Sequence, residues 1–223
     1  MKKIIIAIDG PAGSGKSSSA KIIAEKLNYI YIDTGAMYRA ITLAWIRSGL
    51  ELNKENLKVI TDNSNVDLKQ SPEGQRTFLN GLDVSDDIRS TEVTSFVSPV
   101  SADGYVREKM VDLQRGIGRN GGVVMDGRDI GTVVFPNAEL KIYLVASIGA
   151  RTERRYLEMI NKGMNVAKDE VSKLISDRDI YDSSREISPL RKAIDAIEID
   201  TSDLTIIGQT NIIIDLANKI INQ

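Results

Sequence analysis

The sequence predicts an α/β fold in which helices cover a mostly parallel β-sheet. Three observations predict it: five strand-like segments alternate with helical ones, the first strand is apolar on both faces, and a glycine-rich loop joins that strand to a helix. With 223 residues, the chain can bury a sizeable core without disulfides. We therefore expect residues 1–223 to form a single domain that carries insertions.

Local patterns predict each element of this core in turn. The first strand is the apolar run at residues 3–8 (KIIIAI), and a helix follows at about residues 16–27. An amphipathic segment at residues 206–221, in which Ile214 and Ala217 share a helix face, predicts the last helix. The other strand candidates are residues 29–32, 123–125, 140–145 and 196–200.

Two segments depart from this alternation. Residues 65–84 contain short β-like pieces that are divided by the turn-rich cluster at residues 71–74, which predicts a small antiparallel insert. Residues 168–191 are rich in Asp, Arg and Ser, and Pro189 lies near their end. This second segment is expected to be a polar helix followed by a mobile loop.

Two residue types are missing from the chain, which has no cysteine and no histidine. Without thiols there is no disulfide and no thiolate nucleophile, and without imidazole there is no Ser-His-Asp triad and no zinc site that needs histidine. Any chemistry must therefore use carboxylates, lysine, arginine, hydroxyls or backbone amides, with or without a hard metal ion.

The charge balance argues against polymer partners. There are 29 basic and 31 acidic residues, so the net charge of −2 provides no positive field for nucleic acid. The apolar run at residues 4–8 is far shorter than a membrane span and leads into a glycine-rich loop. We expect a cytoplasmic protein that binds neither nucleic acid nor membrane.

The strongest motif is Gly10-Pro11-Ala12-Gly13-Ser14-Gly15-Lys16-Ser17, which matches G-x-x-x-x-G-K-[ST] between a strand and a helix. Its backbone N–H groups and the start of the helix favour phosphate. Lys16 is expected to reach the β- and γ-phosphates, and Ser17 to ligate Mg²⁺. The alternative is a glycine-rich turn that binds nothing.

A phosphate loop alone does not identify the acceptor. A guanine signature of the N-K-x-D type is missing, since residues 53–55 and 161–163 lack the required Asp, which argues against a GTPase. Several arginines at polar junctions suit phosphoryl transfer, in which the transferring group is anionic throughout. They are Arg39, Arg89, Arg107, Arg128, Arg178 and Arg185.

Five sequence blocks in order make the chain resemble the bacterial-type cytidylate (CMP/dCMP) kinases over nearly its whole length. The blocks are residues 8–18 (IDGPAGSGKSS), 33–39 (DTGAMYR), 83–89 (DVSDDIR), 126–136 (DGRDIGTVVFP) and 178–185 (RDIYDSSR).

The resemblance implies a P-loop kinase with a central parallel five-stranded sheet, a monophosphate-binding insert at about residues 62–108 and a short lid at about residues 165–190. It implies transfer of the γ-phosphoryl group of ATP to CMP or dCMP with Mg²⁺, and we expect a monomer. ATP would contact the whole loop from Gly10 to Ser17 and also Ser18.

The resemblance also assigns residues to the acceptor phosphate. It places Thr34 and Arg39 near that phosphate, and a hydroxyl and a guanidinium are suitable donors. Arg128, which follows a buried strand, should face the same phosphate. A surface ion pair is the alternative for Arg39. The role of Asp126 stays open between a magnesium ligand and a structural brace for the loop.

By the same resemblance, three residues read the base. Cytosine has an amine donor beside two acceptors, so Asp129 would accept from the amine while Arg107 and Ser98 donate. Uracil would place an acceptor against Asp129 and should be disfavoured. Ser95 and Ser101 lie close in sequence to Ser98 and are its rivals.

The last block supplies the lid. Asp182 would bind the ribose hydroxyls, and Arg178 and Arg185 would reach phosphate as the lid closes. Together with Lys16 and Arg128, these two arginines are the expected catalytic residues. The chain has Tyr181 and Ser183 where the family often has arginine. An ordinary i, i+4 ion pair between Arg178 and Asp182 is the structural alternative.

Two other functions stay open from the residues alone. One is another small P-loop kinase, such as a uridylate or gluconate-type enzyme, from which Asp129 and Arg107 would distinguish this chain. The other is a nucleotide-dependent interaction module that binds ATP without turnover.

Overall fold

The structure, a computed structural model, describes residues 2–72, 74–161 and 163–223. Its strands are β1 (Ile5–Asp9), β2 (Ile30–Asp33), β3 (Val66–Ser71), β4 (Gly74–Leu79), β5 (Leu82–Asp83), β6 (Val123–Gly127), β7 (Leu140–Val145) and β8 (Ile197–Asp200). Its helices are α1 (Lys16–Leu27), α2 (Thr34–Ser48), α3 (Lys54–Asp62), α4 (Thr91–Ala102), α5 (Gly104–Gly118), α6 (Ile148–Asn161), α7 (Lys168–Ser184) and α8 (Ile206–Ile221). A 3₁₀ turn spans Asp87–Arg89 and a π-helical turn spans Ile130–Val134.

The chain divides into two units. The first comprises residues 1–31 and 120–223, and the second comprises residues 32–119. The predicted single domain, with an insert at residues 62–108 and a lid at residues 165–190, stays a prediction.

A five-stranded sheet in the order β2-β6-β1-β7-β8 forms the centre of the fold, which confirms the predicted parallel sheet with flanking helices. β1 pairs parallel with β6 and with β7, and Asp9 at its end lies opposite Gly127 and Tyr143. Because the carboxyl ends of these three strands meet at one edge, the loops that follow them lie close together.

The core of the first unit explains why these segments fold as they do. Ile6 and Ile8 of β1 are fully buried because helices cover both faces of the sheet. Ile23 of α1 and Ile213 of α8 belong to the same buried cluster, and both are fully enclosed. The Thr205 side chain accepts a hydrogen bond from the N–H of Gly208 and fixes the start of α8.

The second unit has its own sheet and its own core. β3, β4 and β5 form an antiparallel sheet, which confirms the predicted small antiparallel insert. Met37 and Ile41 of α2 are fully buried in a cluster with Leu79 of β4 and Val106 of α5. The predicted turn at residues 71–74 includes Glu73, which lies outside the described residues.

In the described part of the chain, no helix combines the length and the apolar character that a membrane crossing would need.

Candidate active site

The loop between β1 and α1 has a backbone that requires glycine. Gly13 and Gly15 have φ values of 77° and 88°, in the left-handed region that side chains with a Cβ rarely adopt. A Cβ on Gly13 would lie 3.2 Å from the Cβ of Arg151. Among the described residues, no side chain caps the start of α1, so its first N–H groups are available to phosphate.

Side chains from outside the loop hold its carbonyl groups. Four consecutive loop carbonyls each accept a hydrogen bond from a distant side chain. The pairs are Arg151 Nη1 with Ala12 O at 3.2 Å, Arg154 Nη1 with Gly13 O at 3.5 Å, Thr201 Oγ1 with Ser14 O at 3.1 Å, and Gln209 Nε2 with Gly15 O at 3.3 Å. This ring fixes the loop before any nucleotide binds, so less ordering is needed on binding.

Replacing Thr201 with valine tests whether these side-chain contacts hold the loop. Thr201 is fully buried, and its hydroxyl also lies 3.0 Å from the carbonyl of Val145. Valine has the same shape but leaves the carbonyl of Ser14 without this donor, so we expect a loss of about 1–3 kcal/mol in unfolding free energy and weaker ATP binding. Urea unfolding and ATP titration measure the two effects. Unchanged ATP affinity would show that these contacts are unnecessary.

Lys16 lies inside the loop as a buried cation. Its side chain is 5% exposed, and its Nζ donates to the carbonyl of Pro11 at 2.6 Å. Burial, followed by the nearby charge of Arg128, holds the pKa of Lys16 well below its ordinary value. A bound polyphosphate would supply the negative charge that this ammonium needs.

Asp126, at the end of β6, is paired through both carboxylate oxygens. Oδ2 accepts from the hydroxyl of Ser17 at 2.7 Å, and Oδ1 accepts from the hydroxyl of Tyr31 at 2.8 Å. Asp126 is 5% exposed, whereas Ser17 faces solvent. The pair places two hard oxygen ligands beside the phosphate loop, which is the donor type that Mg²⁺ prefers.

A cluster of two arginines and one aspartate joins the end of β6 to α7. Arg128 Nε donates to Asp182 Oδ2 at 2.7 Å, whereas Arg178 Nε lies 3.9 Å from that oxygen. Burial alone would raise the pKa of Asp182, but the charges of Arg128 and Arg178 outweigh it and hold that pKa below its usual value. Burial, with the charge of Arg128, lowers the pKa of Arg178 to about 10. The cluster is thus rich in cations and suited to a phosphate.

Arg185 and Asp129 form a second buried pair. The Arg185 Nη2 lies 3.9 Å from Asp129 Oδ1, and both side chains are 5% exposed. The Nε of Arg185 donates to the carbonyl of Ser188 at 2.5 Å, which orients the guanidinium. The guanidinium of Arg185 therefore has a fixed direction, and the charges of the pair partly offset each other.

The predicted residues Thr34 and Arg39 lie on α2 in the second unit. Thr34 is the first residue of the helix and is buried. Arg39 donates to the hydroxyl of Thr94 at 2.8 Å and lies 3.4 Å from the carbonyl of Ile88. The roles of Thr34 and Arg39 at the acceptor phosphate stay predictions.

Arg107 and Ser98 belong to the same unit. Arg107 is buried, donates to the carbonyl of Ser101 at 3.1 Å, and lies with its guanidinium carbon 5.3 Å from the centre of the Tyr38 ring. The carbonyl of Ser98 accepts from the hydroxyl of Ser101. The contacts therefore favour neither serine as the residue that binds the base, and Ser98 stays a prediction.

Sequence reasoning missed the residues that support this site. The ring behind the phosphate loop and the Tyr31 hydroxyl on Asp126 come from segments more than 90 residues away from their partners. Of these residues, only Arg151 and Arg154 have a pattern that the sequence displays, because two arginines three positions apart on a helix lie on the same face. Nothing in their pattern indicated which carbonyl each would bind.

Comparisons with known proteins identify the family of the chain. The family model described as cytidylate kinase matches residues 6–219. A cytidylate kinase from Bacillus subtilis (strain 168) is 52% identical over 206 residues, which are 92% of each chain, and one from Bacillus thuringiensis (strain Al Hakam) is 51% identical with the same coverage. A shikimate kinase structure from Bacteroides thetaiotaomicron shares the fold at 12% identity, with a TM-score of 0.50 over 97% of this chain and 99% of that one. The chain belongs to the cytidylate kinase family.

Proposed function

We propose that this protein transfers the γ-phosphoryl group of ATP to CMP or dCMP, giving ADP and CDP or dCDP. The observation that carries the proposal is the glycine-rich loop with the buried Lys16, beside the hydroxyl–carboxylate pair of Ser17 and Asp126. The name shared by its relatives supports CMP as the acceptor.

The donor side of the reaction follows from the loop. Gly10 to Ser18 would surround the ATP phosphates, which would accept from the backbone N–H groups of the loop, Pro11 excepted, and from the uncapped start of α1. Lys16 would leave the Pro11 carbonyl and bind the β- and γ-phosphates, which regains the charge stabilisation lost by burial.

The Ser17 hydroxyl and the Asp126 carboxylate would hold Mg²⁺ together with phosphate oxygens. Among the described residues no group of three or more acidic side chains forms a metal cage, which suits an ion that is bound by one or two carboxylates plus substrate phosphates. When bound, Mg²⁺ would neutralise charge on the transferring phosphate. Tyr31 would keep Asp126 oriented.

The acceptor phosphate would be positioned by cations rather than activated by a base. Arg128 and Arg178 are held around Asp182, and Arg185 lies against Asp129, so each would meet the phosphates with little reorganisation. Thr34 and Arg39 would add a hydroxyl and a guanidinium. The acceptor oxygen of CMP is already ionised, so no residue needs to remove a proton.

Base and sugar recognition complete the proposal. Asp129 would accept from the cytosine amine, and Arg107 and Ser98 would donate to its acceptors. Asp182 uses Oδ2 for Arg128, and its other oxygen would accept from the ribose. We further propose a cytoplasmic monomer of one domain, with the insert at residues 62–108 and the lid at residues 165–190. A net charge of −2 is consistent with small-molecule partners.

A panel of acceptors tests this function. ADP release is measured with CMP, dCMP, UMP, AMP and shikimate at fixed ATP and Mg²⁺, and we expect the highest kcat/KM with CMP or dCMP. A clear preference for another acceptor would contradict the proposal. ATP binding without acceptor-dependent ADP release would indicate an interaction module instead.

The Asp129→Ala variant is expected to reduce the ratio of kcat/KM for CMP to that for UMP by at least about tenfold, because the cytosine amine loses its acceptor. The control is Asp215→Ala, which removes a carboxylate from the exposed face of α8 and should leave the ratio unchanged. A wild-type ratio in Asp129→Ala would remove this residue from base recognition.

A further inference from the structure

One buried carboxylate has no part in the proposed reaction. Asp9 ends β1, immediately before the phosphate loop, and is 4% exposed. Its Oδ1 accepts from the N–H of Ile130 at 2.8 Å, and its Oδ2 accepts from the N–H of Gly131 at 2.7 Å. The carboxylate thus accepts hydrogen bonds from two consecutive peptide groups that are more than 120 residues away in sequence.

These two peptide groups follow directly after Arg128 and Asp129. Because each oxygen of Asp9 takes one N–H, the carboxylate fixes both the distance and the rotation of the backbone at Ile130 and Gly131. That backbone begins the π-helical turn, directly after Asp129, and therefore determines the position of the Asp129 Cα atom and the direction of its side chain. A displacement there would move the residue proposed to read the base.

The fit around Asp9 is too tight for a side chain at residue 131 unless its neighbours shift. A Cβ on Gly131 would lie 3.3 Å from Asp9 Oδ2 and 3.2 Å from Cδ of Lys141. Lys141 holds the far end of the same segment through the carbonyl of Pro136 and through Asp195. The segment is therefore anchored at both ends, and the carboxylate of Asp9 is the anchor nearer to Asp129.

Only a carboxylate can make this pair of contacts. Asparagine has the same shape, but its amide nitrogen would place N–H donors against one of the two N–H groups. The charge has a cost, because burial raises the pKa of Asp9 to about 7, with the two N–H bonds opposing that effect and Asp129 adding to it. Folding stability should thus fall as the pH rises from about 4 to about 7, because over this range the folded state still binds a proton that the unfolded chain has lost.

We propose that Asp9 is a positioning residue for pyrimidine selection, which holds the segment after Arg128 so that Asp129 meets the exocyclic amine of cytosine. This inference rests on the proposed function. It assigns Asp9 no contact with substrate, and its effect passes through the backbone of Ile130 and Gly131.

The principal test compares Asp9→Asn with the wild type. We expect the ratio of kcat/KM for CMP to that for UMP to fall about tenfold, as for a lost hydrogen bond to a charged group, while the Kd for ATP changes less than twofold. The matched control is Ile213→Val, which destabilises the same unit from its core cluster. It should leave the ratio unchanged.

Two further measurements keep the proposal testable if Asp9→Asn does not fold. Gly131→Ala would place a methyl group close to the Asp9 carboxylate and disturb its contact with the backbone. It should also lower the ratio of kcat/KM for CMP to that for UMP. In the wild type, the ratio should rise with pH through about 7, because only the ionised Asp9 accepts both N–H bonds. Taking the ratio cancels the titration of the nucleotide phosphate. The charged and titratable groups that face Asp9 are Lys16, Asp129, Lys141 and Tyr143.

The outcomes separate the two proposals. A wild-type enzyme that does not prefer cytidine monophosphates would overturn the proposed function. A wild-type preference that survives in Asp9→Asn and in Gly131→Ala, with stability reduced as in Ile213→Val, would show that Asp9 serves folding alone and would overturn the inference. If Asp9→Asn does not fold, an unchanged ratio in Gly131→Ala with a flat pH profile would have the same meaning.

Discussion

Replacing Lys16 by alanine is expected to lower kcat by about 10³-fold or more, because the ammonium stabilises the charge on the transferring phosphoryl group. In the free protein Lys16 Nζ donates to the Pro11 carbonyl at 2.6 Å within the loop that would bind the phosphates. Steady-state assays with CMP and ATP measure kcat, and titration with ATP measures affinity. We expect the loss in kcat to exceed the loss in ATP affinity.

Stability distinguishes this effect from misfolding. Burial lowers the pKa of Lys16, so the charged side chain weakens the fold and its removal should leave the unfolding midpoint in urea unchanged or higher. The control is Lys26→Ala, which removes an exposed lysine at the other end of α1 and should keep wild-type turnover. Wild-type kcat in Lys16→Ala would remove Lys16 from phosphoryl transfer.

The elements with strong local patterns were predicted nearly to the residue. The helices at residues 16–27 and 206–221 and the strand at residues 140–145 have the predicted bounds, because apolar periodicity, glycine and caps determine them locally. The first strand was predicted at residues 3–8 but runs from Ile5 to Asp9. Its end was missed because a buried aspartate resembles the start of a loop in a sequence.

Contacts between segments that are distant in the sequence could not be predicted from local patterns. Asp182 was expected to meet ribose, with an i, i+4 ion pair to Arg178 as the alternative. That ion pair is present at 3.9 Å, but Asp182 has a nearer partner that was not predicted, Arg128 at 2.7 Å. Residues that are 54 positions apart meet only once the fold has formed, and no periodicity encodes that pairing.

The lack of histidine and cysteine is consistent with this chemistry. Transfer between ionised phosphates needs positioned charge more than it needs a proton acceptor. In the proposed reaction, the first unit would supply that charge with Lys16, Arg128, Arg178 and Arg185, each of them largely buried or held by a partner. Burial would strengthen their effect on a bound phosphate, because fewer water molecules would screen them.

Replacing Arg185 by alanine is the second large effect, with an expected fall of about 10³-fold in kcat/KM for CMP and little change in ATP affinity. The guanidinium is held by its Nε on the carbonyl of Ser188 at 2.5 Å and lies 3.9 Å from Asp129. Alanine would remove the cation and release the Asp129 carboxylate. We therefore expect the preference for CMP over UMP to weaken as well.

Arg185→Lys separates charge from geometry. Lysine keeps the positive charge but lacks the planar set of N–H donors that lets a guanidinium donate to the Ser188 carbonyl and to a phosphate at the same time. We therefore expect Arg185→Lys to recover only part of the lost rate. Arg191→Ala, in the exposed chain after α7, is the control and should keep wild-type kinetics. If Arg185→Ala kept its rate while Arg128→Ala lost it, the phosphate contacts would belong to the Arg128–Asp182 cluster alone. The pair formed by Arg185 and Asp129 would then orient the base-reading carboxylate without acting on the phosphates.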